Sequence, residues 1–110
     1  MRKNKYNPAR FDKRIQILEY TKTSDGGGGY EEVLIPILNV WANIHPLHGR
    51  ELYQAQQIQA QVSHKITIRY SNKVNRSHVV FFNDKYYNIQ YIVNVNEANK
   101  TLELHVLERQ

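Results

Sequence analysis

The fold turns on residues 41–70, WANIHPLHGRELYQAQQIQAQVSHKITIRY, which read as strand, turn, helix and strand. Val40, Ala42 and Ile44 alternate against Trp41, Asn43 and His45, the period-two pattern of a half-buried strand, and Pro46 and Gly49 end it. His64–Tyr70 repeats the pattern, with Ile66, Ile68 and Tyr70 on one face and Lys65, Thr67 and Arg69 on the other. Between them, Arg50–Gln61 is built from good helix formers and holds no Gly or Pro. Its apolar stripe of Leu52, Ala55, Gln59 and Val62 is narrow, so the helix gains little from its own core. The rest of its surface is amide (Gln54, Gln56, Gln57, Gln61) where a soluble monomer usually carries charge. That face reads as a contact surface, with plain solubility as the alternative.

Outward from this stretch the chain is strands. Arg14–Thr21 is a strand with Ile15 and Ile17 on one face and Leu18 and Tyr20 on the other. The run Ser24, Asp25, Gly26, Gly27, Gly28, Gly29 then breaks the pattern, because consecutive glycines cost too much entropy inside a strand or helix. It marks a mobile connection, most simply the tip of a long hairpin. Tyr30–Leu38 resumes extended, and Pro36 confines it to an edge or forces a bend. Val79–Phe82 is a short buried run followed by a tight turn at Asn83 and Asp84. Tyr86–Val95 alternates, grouping Tyr87, Ile89, Tyr91, Val93 and Val95. After a turn over Glu97–Lys100, Thr101–Leu107 closes the chain with Leu102, Leu104 and Val106 inward. Six or seven short strands with one inserted helix predict a mainly β fold, a small antiparallel barrel or sandwich. Barrel closure removes the unpaired edges of strands this apolar.

At 110 residues the chain is long enough for one modest core, and 41% of it is apolar. Residues 1–10 read as a basic arm and 11–110 as a single domain. No cysteine is present, which excludes a disulfide framework and cysteine-ligated zinc. The N-terminus lacks the apolar run of a secretory signal, and no stretch approaches the roughly twenty apolar residues of a membrane span. A soluble protein of cytoplasmic origin is expected, without membrane contact. The net charge is +5, and Arg2, Lys3, Lys5, Arg10, Lys13 and Arg14 face only Asp12 at the start of the chain. Such an arm either contacts phosphates or an acidic protein surface, or is simply a solvated tail.

Catalytic chemistry finds little support. The tetraglycine is followed by neither Gly-Lys-Ser/Thr nor a helix, so it is no phosphate loop. His45 and His48 have a spacing that suits a metal on a helix, but Pro46 lies between them and no third ligand is near. His64, His78 and His105 fall at or within strands and read as satisfied structural histidines. Glu31 and Glu32 flank the glycine tip as a solvated pair. No catalytic set, metal site or cofactor is expected. Basic residues interleave with aromatics at Arg69, Tyr70, Lys85 and Tyr86, a pattern that on a barrel face stacks single-stranded bases. Core filling is the plainer account of such aromatics, Tyr87 being in phase with Ile89, while Tyr86 is out of phase and remains a surface candidate.

These features together resemble the head–tail joining proteins of tailed phages, also called head-closure or stopper proteins. The resemblance runs from about Phe11 to Glu108. It is carried by Arg14–Ile17, the hairpin ending at Gly29 and Tyr30, Val40–Ile44, Gly49–Leu52 with the Gln-Ala-Gln helix, and Ser63–Tyr70. Phe82–Ile89 and Leu102–Leu104 complete it. Two departures stand out: Asp84 and Lys85 occupy a late hairpin where Asp-Gly is common, and a basic arm precedes Phe11.

The resemblance implies a structural virion protein without enzymatic activity or cofactor, assembled in the host cytoplasm. It would form a ring, twelvefold in expectation, below the portal and adaptor proteins. The ring would close the DNA-filled capsid, touch the genome without sequence specificity and present a platform to tail proteins. On this view Arg50, Glu51, Gln54, Gln57, Ile58 and Gln61 form the ring or portal-side interface. Asp25, Gly26, Gly27, Gly28, Gly29 and Tyr30 form a docking or channel-facing loop. The alternatives are a tail-terminator or tail-completion protein, and a small nucleic-acid-binding barrel.

Overall fold

A computed structural model of the chain describes residues 10–59 and 61–110, so most of the basic arm lies outside the described residues. The strands are β1 (Lys13–Ser24), β2 (Tyr30–Pro46), β3 (His64–Arg69), β4 (Val79–Phe82), β5 (Lys85–Asn94) and β6 (Thr101–Glu108). They form a closed antiparallel barrel in the order β1-β2-β3-β6-β5-β4. The seam that closes it is short, with Gln16, Ile17 and Leu18 opposite Phe81, Val80 and Val79.

The alternation that predicts the strands also fills the barrel. Ile15, Ile17, Ala42, Ile66, Ile68, Val80, Leu104 and Val106 are fully buried in one cluster, with Tyr87, Ile89 and Leu102 almost so. Val74, from the loop after β3, packs onto this cluster. Burying each large aliphatic side chain contributes roughly 1.5–3 kcal/mol. The β4–β5 turn is carried by Asn83 and Asp84, with φ of 54° and 62°. Asn and Asp tolerate this left-handed conformation best among non-glycine residues, and two such positions in succession make the hairpin turn that matches strand twist.

Three details depart from the sequence reading. The extended run Tyr30–Leu38 and the strand Val40–His45 are one strand, with Pro36 on its edge as expected. Tyr30–Pro46 runs unbroken, which brings the count to six, because β3 pairs with β2 only from Ala42 onward and the missing N–H at Pro36 faces no partner strand. A bulge beside it sets Ile17 opposite Leu38 but Leu18 opposite Pro36, leaving Ile37 unpaired. A second bulge at Gln90 breaks the alternation of β5, with Ile89 opposite Val106 and Tyr91 opposite His105. Beyond it Ile92 packs on the core while Tyr91 and Val93 turn outward, contrary to the single face expected for Tyr87–Val95.

The third departure is the helix. It spans Gly49–Gln56 rather than Arg50–Gln61. His48 supplies no side-chain cap, and no basic residue sits in the last turn. Helices this short owe little to intrinsic propensity. Backbone bonds from Gln57 to Gln54 (3.2 Å) and from Ile58 to Ala55 (3.0 Å) tighten the end into a single further turn. The chain must then return to β3, and Leu47 N–H donates to the Ser63 carbonyl at 3.0 Å, pinning the two ends of the excursion together. Gly49 at the entry has φ of +59°, which lets the backbone leave β2 sharply.

Candidate functional site

The 47–63 excursion, here called the insert with its helix α1 (Gly49–Gln56), lies over the outer face of β3, β5 and β6. A cleft of about 220 Å³ between them is lined by Leu47, Glu51, Ala55 and Ile58 from the insert and Lys65, Tyr91, Glu103 and His105 from the sheet. Ala55 and Val62 are buried and Leu52 and Gln59 half-buried, as their stripe predicts. Gln59 Nε2 donates to Oε1 of the bulge residue Gln90 across 3.5 Å. His45 and Glu51 meet at 2.8 Å, and this hydrogen bond holds the Glu51 carboxyl below its ordinary range. Glu51 therefore braces the helix onto β2.

Two of the histidines are satisfied as expected. His64 bonds to Ser63 Oγ at 2.8 Å and meets the Tyr87 ring edge-on, and His78 Nδ1 accepts from the Asn75 N–H at 3.2 Å. His105 is satisfied on one side only. Its ring stacks on Tyr91 with centroids 4.3 Å apart, and Nε2 lies 3.3 Å from Glu103, but buried Nδ1 has no partner. Burial holds the pKa of both His64 and His105 down, opposed by the carboxylates of Glu108 and Glu103 respectively. Burial also raises the Tyr91 phenol, and Glu103 adds to the effect.

All six residues expected on the interface, Arg50, Glu51, Gln54, Gln57, Ile58 and Gln61, are exposed. Gln57, Ile58 and Gln61 lie past the helix end, so they share the insert rather than one helical face. Ile58 is 72% exposed and Tyr53, which sequence reasoning passed over, 65%: two large apolar side chains in solvent on one short segment.

The loop residues sit at the far end of a two-stranded ribbon. β4 pairs with β1 only through Leu18, so Glu19–Ser24 and Tyr30–Ile35 have only each other. Asp25 organises the tip: its Oδ1 accepts from Gly27 N–H at 2.8 Å and Gly29 N–H at 3.1 Å, and its own N–H donates to the Gly29 carbonyl. Gly26 and Gly28 have φ of +84° and +88°, which only glycine adopts freely. Tyr20, Tyr30 and Ile35 are exposed along the ribbon.

A third surface gathers residues that are distant in sequence. Arg14 lies over Trp41 at 5.1 Å and Arg69 over Phe11 at 5.0 Å, beside a cleft of about 460 Å³ shared with Arg10 and Asp12. Alternation along 40–45 already turned Trp41 outward; the partnership of Phe11, Arg14 and Arg69 was not legible. The structure does not bring Arg69 and Tyr70 together with Lys85 and Tyr86. Arg69 pairs with Thr101 and Tyr87 with Glu108, at opposite ends of β6 and roughly 24 Å apart. Lys85 is tied to Glu108 at 3.5 Å, and Arg109 covers Tyr86. The surface pattern for stacking bases is thus dispersed.

Residues 6–109 match the family described as phage head completion protein. The chain belongs to that family. Its fold is shared by protein SF1141 from Shigella flexneri 2a, solved in solution, with a TM-score of 0.77, 22% identity, and 94% and 96% of the two chains covered. It is also shared by a chain of the virion of a native gene transfer agent particle, with a TM-score of 0.59, 14% identity, and 88% and 93% covered. A comparison with curated protein sequences returns no significant relative. The protein is thus a structural component of the phage virion, as the resemblance implied. The insert, the ribbon and the arginine–aromatic face are the exposed features of this chain that call for an explanation. Among the described residues no helix is long and apolar enough to cross a membrane.

Proposed function

We propose that this head completion protein is a head–tail connector subunit. It assembles as a ring, twelvefold in expectation, below the portal and adaptor, closes the DNA-filled head and gives tail proteins their platform. Residues 1–10 act as a separate arm on a domain of residues 11–110. The observation that carries the reading is the insert, which exposes Ile58, Tyr53 and a row of amides in a member of this family. Amides satisfy one another across an interface without the desolvation cost of buried charges. Arg50, Gln54, Gln57, Ile58 and Gln61 supply that face, Glu51 holds it in place, and the tip at 25–30 is a docking or channel-facing element.

Charge limits how the ring is oriented. A dozen copies at +5 each, all turned to the lumen, would set on the order of +60 around the genome and clamp its passage. The arm's basic residues therefore face neighbouring proteins or the outside, and an assembled connector with Lys3, Lys5 and Arg10 lining the channel would refute this.

The test is electron microscopy of particles made with Ile58→Asp or Gln57→Glu. Both positions are exposed, so each isolated chain keeps its melting temperature within about 2 °C, matching the small effect of surface changes. Particles carrying Ile58→Asp should be filled heads without tails that lose DNA. Normal tailed particles from both variants would count against the insert. Complete heads beside tails of uncontrolled length would favour the tail-terminator alternative.

A further inference from the structure

The ribbon and the arginine–aromatic face are complementary in charge and cannot meet within one chain. From Glu19 to Pro36 the ribbon carries Glu19, Asp25, Glu31 and Glu32 against Lys22, a net −3 on a chain of +5. At the other end of the same two strands stand Arg10, Lys13, Arg14 and Arg69 with Asp12 alone, and Asp12 is paired with Lys13. Among the described residues every ion pair uses Lys or His, so Arg14 and Arg69 have no carboxylate and Glu31 has no cation, while Glu32 stands opposite Lys22 across the ribbon. Arg14 pairs with Trp41 and Ser24 with Tyr30. Ten residues of extended chain therefore separate the two features, about 34 Å, along a ribbon that cannot fold back on itself.

The two surfaces also need cover. A two-stranded ribbon with no third strand is marginal in water, and this one exposes Tyr30 by 73% and Ile35 by 40%. Trp41 is 52% exposed with the Arg14 guanidinium over its ring, and Trp, Tyr and Arg are the residues that dominate binding hot spots. A guanidinium that meets a ring through its π face and has no acidic partner still has N–H groups to offer carboxylates.

We propose that the ribbon of one copy docks on the Phe11, Arg14, Trp41 and Arg69 face of the next, with Glu31, on the ribbon face it shares with Thr23, meeting the arginines. The contact joins unlike patches, so it repeats around an axis and closes into a ring. This rests on the ring reading above and names the partner of the ribbon.

The chain lacks cysteine, so one cysteine on each face reports the contact cleanly. Thr23 pairs with Glu31 on the ribbon, and Asn39 is exposed two residues from Trp41 on its face. Particles assembled with Thr23→Cys/Asn39→Cys should give a ladder of disulfide-linked oligomers on oxidation, and either single variant no ladder. Several copies per particle without a ladder would overturn the docking and leave the ring standing. One copy per particle would overturn both. Charge reversal tests the same contact. Glu31→Lys and Arg14→Glu/Arg69→Glu should each keep their melting temperature and lose incorporation about tenfold, as like charges meet. An equimolar mixture should recover it, because each variant's ribbon then matches the other's face. Failure of the mixture to recover would assign the arginines to DNA or another virion protein and refute the proposal.

Discussion

Gln90 shows how much one residue decides. As the extra residue of a bulge it turns Tyr91 out of the barrel, onto His105, and offers its own amide to Gln59 of the insert. The resulting His105 site is sensitive to acid. In the fold His105 and His64 are held below the ordinary histidine value of about 6.5, chiefly by burial, so the folded chain favours the neutral rings and the unfolded chain binds protons more readily. Their stabilisation is complete above about pH 6.5 and is lost as pH falls through the lowered folded values. The Glu51 shift acts only in the lower carboxylate range, so a comparison of pH 7.5 with pH 5 isolates the histidines. The urea midpoint should fall across that interval, and less steeply in His105→Gln. That variant should also lose about 1 kcal/mol at pH 7.5 with the Tyr91 stack. An unchanged slope in both His105→Gln and His64→Gln would contradict this account.

Among the elements, the ribbon and the insert are those the barrel does not require. Beyond Leu18 no ladder bond joins the ribbon to another strand, although the Arg109 guanidinium reaches the Tyr20 hydroxyl and His78 approaches Glu19 at 4.0 Å. Replacing residues 21–33 by a two-residue hairpin turn between Tyr20 and Leu34 keeps both of those side chains. The shortened protein should melt within a few degrees of the parent, since little apolar area is removed from cover, and should fail to enter particles. A collapse in melting temperature would show the ribbon to be structural. The tip itself was legible as a run of glycines. The role of Asp25 was not, because its two bonds to Gly27 and Gly29 depend on a turn shape that composition does not specify.

For the whole molecule, an acidic ribbon at one end and a basic face at the other make an electrically polar subunit. Association through such ends is screened: between about 0.1 M and 1 M salt the Debye length falls from about 10 Å to about 3 Å. Sedimentation of assembled protein should show dissociation over that range while the melting temperature of the chain stays nearly constant, because its core is aliphatic. Assembly that strengthens with salt would point instead to contacts dominated by the apolar residues of the insert.

The sequence by itself determined the β class, the inward residues of β2 and β6, Ile66 and Ile68 of β3 though not Tyr70, the three hairpin turns and the family, because alternation and turn chemistry are local properties that survive in any arrangement of the strands. Only the tertiary structure decided that Pro36 lies within a continuous strand, that Tyr91 and Val93 leave the core, and that the helix stops at Gln56. It alone brought Phe11, Arg14, Trp41 and Arg69 to one face. Bulges and strand order come from closing the barrel, a long-range condition that fixes register between segments far apart in the chain, and no window of sequence contains it.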